Sequence, residues 1–334
     1  MTIASKIIAC GLNLGLDHVA SFLCRNHPRI LMYHRFSKEK RGGFTSERNF
    51  DQQLSYISRH YHPMSLSELN HCFLQGKKPP KNAIVITIDD GYGDFYDIAY
   101  PLLRKYQIPS TLFITTGFVD NRLWLWPDQV SWLLKYAGKG RESLSIGPVK
   151  LLKGDVQAWE WQALIDYLLT VTDMEKHQLI AQIAEVWELD LPVKAPAEYA
   201  AVTWQQLREM QESGVEVGGH TVTHPSLGQV DENQAIEEIE GSKRELEKFL
   251  GKGERTFCYP NGTSADYNEK IKEVVKRAGF SCSVTAFHDR LGINDQYAMR
   301  RFSCGDDMFG FYKSVTGIEH LGNYVRNTIK ADYE

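Results

Sequence analysis

The feature that most constrains this chain is the run Ala83-Ile84-Val85-Ile86-Thr87-Ile88 and what ends it. The run is continuous, rich in β-branched residues and too short for a helix, so it is expected to be a buried strand. It stops at Asp89-Asp90-Gly91, two adjacent carboxylates and a turn residue. Much later, Val215-Glu216-Val217-Gly218-Gly219 leads in the same way into His220-Thr221-Val222-Thr223-His224. Two carboxylates at one strand end and two imidazoles at another can converge on one divalent metal. One carboxylate would be left over as a base.

Strands and helices alternate along most of the chain. Strands are expected at 30–33, 83–88, 111–114, 215–217, 256–259, 281–285 and 297–302. Helices are expected behind Thr45 and Ser46, where Phe50, Leu54 and Ile57 recur at helical spacing, and over about 95–106, 233–250 and 269–278. A further helix opens on the capping box Thr203-x-x-Gln206 and stops at Gly214. Repeated β-α units imply parallel strands with helices outside, as a barrel or an open doubly wound sheet. Either arrangement gathers functional residues at the C-terminal ends of the strands. Asp89, Asp90, His220, Pro260 and His34 all fall there. Residues 120–200, with Trp124, Trp126, Trp132, Trp159, Trp161 and Trp187, break this rhythm. They are expected to form a helical insert over or beside the active face, its tryptophans mainly a small core of their own.

A length of 334 residues allows one large α/β domain or two smaller ones. A net charge of −4 with no long run of one sign argues against nucleic-acid binding. Six scattered cysteines without a Cys-x-x-Cys pattern imply reduced thiols and a cytoplasmic setting. Ile7-Ile8-Ala9-Cys10 looks like a lipoprotein cleavage box, but the stretch before Cys10 is too short for a charged and an apolar signal region. Residues 1–25 are expected to hold an amphipathic helix, with Ile3, Ile7, Leu14 and Phe22 near one face. Docking on the domain's own surface is favoured over peripheral contact with a membrane, because the polar face lacks basic residues. Residues 26–330 then form the catalytic domain.

With these motifs in place, the chain resembles the polysaccharide deacetylases, the NodB-homology or carbohydrate esterase family 4 group. Thr87-Ile88-Asp89-Asp90-Gly91 matches the family's first motif, T-F-D-D-G, and His220 to His224 matches its second, H-[ST]-x-x-H. Phe257-Cys258-Tyr259-Pro260-Asn261-Gly262 is a variant of its third, R-x-P-Y. The resemblance implies an α/β fold, a distorted (β/α) barrel of the polysaccharide deacetylase type with a helical insert. It implies metal-assisted removal of an N-acetyl group from an amino sugar. Asp90, His220 and His224 would hold one divalent ion, zinc before nickel, cobalt or manganese. Asp89 would be the general base, and the backbone N–H of Asn261 would help to stabilise the oxyanion.

Two departures from the family pattern matter. Cys258 stands where the third motif has its arginine, so the usual partner of the base is missing; Arg301 is the candidate substitute and Arg300 its rival. The family's L-x-H histidine acid is also absent. His34, ending the first strand, resembles the first-strand histidine of the branch that acts on poly-N-acetylglucosamine and is the candidate acid, with His288 next. The expected substrate is an N-acetylated surface glycan or its precursor. Alternatives are deformylation or deacetylation of a lipid-linked aminosugar, and a catalytically weak glycan- or metal-binding protein, the last motivated by the missing arginine.

Overall fold

The strand β5 (Ala83–Ile88), buried at every residue, lies near the centre of an eight-stranded sheet. The computed structural model describes residues 16–138, 140, 143–154, 156–287 and 292–318. The sheet runs β11 (Ser283–Val284), β10 (Phe257–Cys258), β9 (Glu216–Gly219), β6 (Ser110–Ile114), β5, β1 (Arg29–Tyr33) and β12 (Phe302–Ser303). β4 (His62–Pro63) pairs with the first residues of β5. All these pairings are parallel, as helical crossovers require. A parallel bridge joins Val284 to Met299, just ahead of β12. The segment 299–303 therefore touches both ends of the strand order, and the sheet curls into a distorted barrel.

Strand periodicity sorts the core. Ile84, Ile86 and Ile88 face the surrounding helices, where they meet Phe50, Leu54 and Ile57 of the helix Glu47–His60. Val85 points the other way, into a cluster with Ile30, Phe113, Cys258, Cys282 and Met299. Leu66 and Leu69 of the helix Leu66–Leu74 join that inner cluster beneath the strands, behind the capping box of Ser65 and Glu68. Gly218 is required here: a Cβ would lie 2.6 Å from the Phe113 ring and 2.7 Å from the Thr256 carbonyl.

Between β6 and β9 the chain builds a separate apolar cluster from the helices Trp126–Tyr136, Ala158–Leu168 and Asp173–Val186. This insert is not wholly helical. β7 (Ser143–Ile146) and β8 (Val149–Leu152) form an antiparallel hairpin whose buried residues Leu144, Ile146, Val149 and Leu151 close the cluster. The small parallel pair β2 (Phe36–Ser37) and β3 (Thr45–Ser46) follows β1. The strand expected at 297–302 is replaced by a turn at 296–297 and the short β12. Of the expected N-terminal helix, Leu16–Leu23 is helical; Ile3, Ile7, Cys10 and Leu14 lie outside the described residues.

Candidate active site

The inward row of β5 continues from Val85 through Thr87 to Asp89. In a regular strand Asp90 would point to the opposite face. Instead Asp90 takes a left-handed φ of 77°, so the chain turns at the strand end and both carboxylates face the barrel mouth. Gly91 follows at φ 90°, and a Cβ there would meet Ile114 Cγ2 at 2.9 Å. Thr221, His224 and Asn261 also have positive φ, at 67°, 64° and 57°. Such non-glycine outliers are costly and gather where the surroundings over-determine them.

The second motif is not helical. It bends at Val222 and Thr223 and runs out of regular structure into Pro225, which disfavours helical geometry at His224. Glu238, on the helix Glu232–Leu250, accepts the backbone N–H groups of Val222 and Thr223, each at 2.8 Å, and the Thr223 hydroxyl at 2.6 Å. Thr221 Oγ1 accepts the His224 N–H at 3.0 Å. These bonds fix both imidazoles. His220 Nε2 and His224 Nε2 each lie 3.4 Å from Asp90 Oδ1, and all three residues are buried.

This donor set fits a small divalent cation. Its three ligand atoms lie within 4.8 Å of one another. His220 Nδ1 sits 2.7 Å from the Cys258 carbonyl, so its N–H donates there and Nε2 keeps its lone pair toward Asp90. Burial opposes charge on Asp90, yet hydrogen bonding from the two histidines holds its carboxyl well below the ordinary range. Burial also disfavours a His220 cation, yet Cys258 and Asp90 outweigh it and hold the imidazole well above its ordinary value. The pocket thus favours positive charge at the point where the three ligand atoms meet.

Asp89 is paired differently. Arg301, fully buried, donates Nη1 to Asp89 Oδ1 at 2.7 Å and Nη2 to Oδ2 at 2.6 Å. Its remaining N–H groups reach the Thr285 carbonyl at 2.6 Å, Thr87 Oγ1 at 3.0 Å and Cys258 Sγ at 3.1 Å. Burial would raise the Asp89 carboxyl, but Arg301, helped by His34 and His220, holds it below the ordinary carboxylate range. Arg300 turns elsewhere, donating to Tyr267 Oη at 2.6 Å and the Ala298 carbonyl at 2.9 Å.

His34 continues the inward parity of Ile30 on β1. Its side chain is 45% exposed, and Nε2 lies 3.8 Å from Asp89 Oδ2, too long for a hydrogen bond. His34, Asp89, Asp90, His220, His224 and Asn261 line one cavity of about 740 Å³. Asn261 Nδ2 and His224 Nδ1 are buried there with no hydrogen-bond partner among the described residues. His288 lies outside the described residues.

The polysaccharide deacetylase family pattern matches residues 76–145 and 156–283. The chain belongs to the polysaccharide deacetylase family. Membership makes it a hydrolase of the amide bond in an N-acetylated sugar, of the carbohydrate esterase family 4 type. YxkH of Bacillus subtilis is 23% identical over 284 residues, covering 84% of this chain and 72% of that protein. The poly-β-1,6-N-acetyl-D-glucosamine N-deacetylase of Staphylococcus aureus is 33% identical over 114 residues, only 34% of this chain and 38% of that protein. Among solved structures, the deacetylase PplD of Streptococcus pyogenes shares the fold with a TM-score of 0.56 and 21% identity over 84% of this chain and 93% of that one. IcaB from Ammonifex degensii does so with a TM-score of 0.56 and 19% identity, covering 87% and 97%.

Two supports of the site, a loop anchor and part of the cavity wall, carry no motif in the sequence. Glu238 carried no signal, being one acid among many on a charged helix. The other comes from the insert. Asp128 accepts a 2.6 Å hydrogen bond from Tyr92 and lines the same cavity as the metal motifs. Burial pushes its carboxyl up to about 7, against the lowering effect of Arg35 and Tyr92. Of the six insert tryptophans only Trp161 lines the cavity.

Proposed function

We propose that this enzyme removes the N-acetyl group from an amino sugar of a surface polysaccharide or its precursor, with one divalent ion held by Asp90, His220 and His224. The observation that carries this reading is the segregation of two adjacent buried carboxylates. Asp90 faces two imidazoles at 3.4 Å, while Asp89 is locked to Arg301. A bound divalent ion supplies Lewis-acid polarisation of the carbonyl and acidifies water. Zinc suits two imidazoles and a carboxylate.

Asp89 takes the proton from the attacking water. Arg301 keeps that carboxylate ionised in a buried site and fixes its direction. The Asn261 backbone N–H, presented by its left-handed turn, donates to the developing oxyanion. His34 gives a proton to the leaving nitrogen as the C–N bond breaks, and its partial exposure lets it reload from solvent. The binding-only alternative was motivated by a base without its arginine; Arg301 supplies the pairing from another strand end.

The staphylococcal relative's name makes poly-β-1,6-N-acetylglucosamine the first substrate class to try. Five cysteines free of disulfides among the described residues support a reducing, cytoplasmic setting. The helix Leu16–Leu23 packs against the helix Met308–Thr316, which supports docking on the domain's own surface, while exposed Phe22 and Leu23 leave an apolar edge for peripheral membrane contact. The test is acetate release from N-acetylated oligosaccharides by the metal-loaded enzyme. Release that stops on chelation and returns with metal is expected; no release from any N-acetylated sugar contradicts the reading.

A further inference from the structure

The geometry points to a sugar-hydroxyl clamp built from Arg35 and Asp128, joining the barrel to the insert beside the reacting centre. This rests on the deacetylase reading of the cavity and adds how the sugar ring is oriented there. Arg35 directly follows His34. Its guanidinium lies 3.8 Å from the Tyr92 ring centroid and 4.6 Å from that of Phe44. Nε donates to Asp94 Oδ2 at 2.7 Å and Nη2 to the Glu198 carbonyl at 2.6 Å. Nη1 has no hydrogen bond among the described residues; its nearest acid is Asp128 Oδ1 at 3.6 Å. Asp128 is held by Tyr92 through Oδ2 alone, which leaves Oδ1 with open acceptor capacity.

Both residues line the cavity that holds the metal motifs. A rigid donor and a rigid acceptor therefore stand side by side, each with capacity left, slightly too far apart to satisfy one another. Hydroxyls on adjacent ring carbons of a pyranose have the matching chemistry, since each can both accept from a guanidinium and donate to a carboxylate. Trp161 and Ile165 of the insert line the same cavity and offer apolar surface to the C–H face of such a ring. Metal motifs at strand ends fix where the amide is cut. The clamp, on the loop after β1 and on the insert, fixes how the ring is presented. Tyr92, stacked on Arg35 and bonded to Asp128, holds both members.

The role is positioning, so its signature is selective. With wild-type enzyme, the methyl glycoside of N-acetylglucosamine and its 3-deoxy, 4-deoxy and 6-deoxy analogues should differ. At least one deoxy analogue should show KM raised on the order of 10- to 100-fold, the scale of a hydrogen bond to a charged group. Asp128→Asn and Arg35→Lys should raise KM for the parent sugar by a similar factor and change kcat less. In those variants the same deoxy analogue should no longer be penalised. Tyr92→Phe, which removes only the hydroxyl, is the milder variant and should give an intermediate effect in the same direction. Metal content should match wild type throughout. The clamp is overturned if Asp128→Asn discriminates among the deoxy sugars as wild type does, or if kcat falls while KM and discrimination stay. A wild-type enzyme that neither binds nor deacetylates the parent glycoside, nor longer N-acetylated oligosaccharides, instead overturns the deacetylase reading, and the clamp with it.

Discussion

Replacing Arg301 by Met tests what keeps Asp89 charged. The guanidinium is fully buried, and all five of its N–H groups have acceptors, two of them the Asp89 oxygens. Met has comparable length and no charge, so Arg301→Met leaves the Asp89 carboxylate buried and unpaired. Breaking one side of a buried ion pair costs about 3–5 kcal/mol. The pH dependence separates this from a packing defect. In the wild type Asp89 is depressed, so its contribution is present above the ordinary carboxylate pKa and lost as pH falls through the lower folded value. In the variant burial is opposed only by the weaker influence of His34 and His220, so the folded pKa rises and the sign reverses. The deficit should then be largest at neutral pH and shrink in acid, where a protonated Asp89 tolerates burial. Urea unfolding from pH 4 to 8 reads the first effect, and the acid limb of kcat/KM, moved to higher pH, reads the second. Arg300→Met is the control: its partners are Tyr267 and Ala298, so the acid limb should stay. An Arg301→Met enzyme with wild-type stability and an unmoved acid limb would refute the pairing argument.

Three further outcomes follow from the same geometry. Asp89→Asn should keep its metal and lose about 10²–10⁴-fold in turnover, the usual contribution of a positioned acid–base group; metal analysis beside kcat checks both halves. His34→Ala should lower kcat far more than substrate binding with metal content unchanged, and normal turnover would move the acid elsewhere, with His288 next. Because burial raises Asp128 to about 7, its charge destabilises the fold as pH rises from the ordinary carboxylate range through that value. Asp128→Asn should accordingly flatten the fall of Tm between pH 5 and 8, and an unchanged slope would show that Asp128 is not the group responsible.

Much of the site was legible because its residues end strands whose signals are local. Ala83 to Ile88 is buried at every residue, and a run that apolar announces itself. Arg301 was reachable by asking what could replace the arginine lost at Cys258, and the inward parity of alternate residues carries its side chain to Asp89. The strand around it was misjudged, since 297–302 pairs through a single bridge at Met299 before β12 begins. The hairpin of the insert did leave a signal: Leu144, Ile146, Val149 and Leu151 alternate around Gly147-Pro148. The density of tryptophan and leucine at helical spacing on either side obscured it. The Arg35–Asp128 pair left none, because its members stand far apart in the chain and neither sits in a pattern. Only the packing of the insert against the loops after β1 and β5 brings them together.

If Asp90, His220 and His224 hold one divalent ion, the metal content of the protein reports it. Purified wild-type protein loaded with zinc and dialysed should retain one ion per chain by elemental analysis. Binding should weaken as pH falls, because a proton on His220 competes for the same lone pair. The His220→Ala, His224→Ala double variant should keep the wild-type circular dichroism spectrum and lose the ion. A folded double variant that retains the metal at wild-type stoichiometry would contradict the assignment and the mechanism built on it.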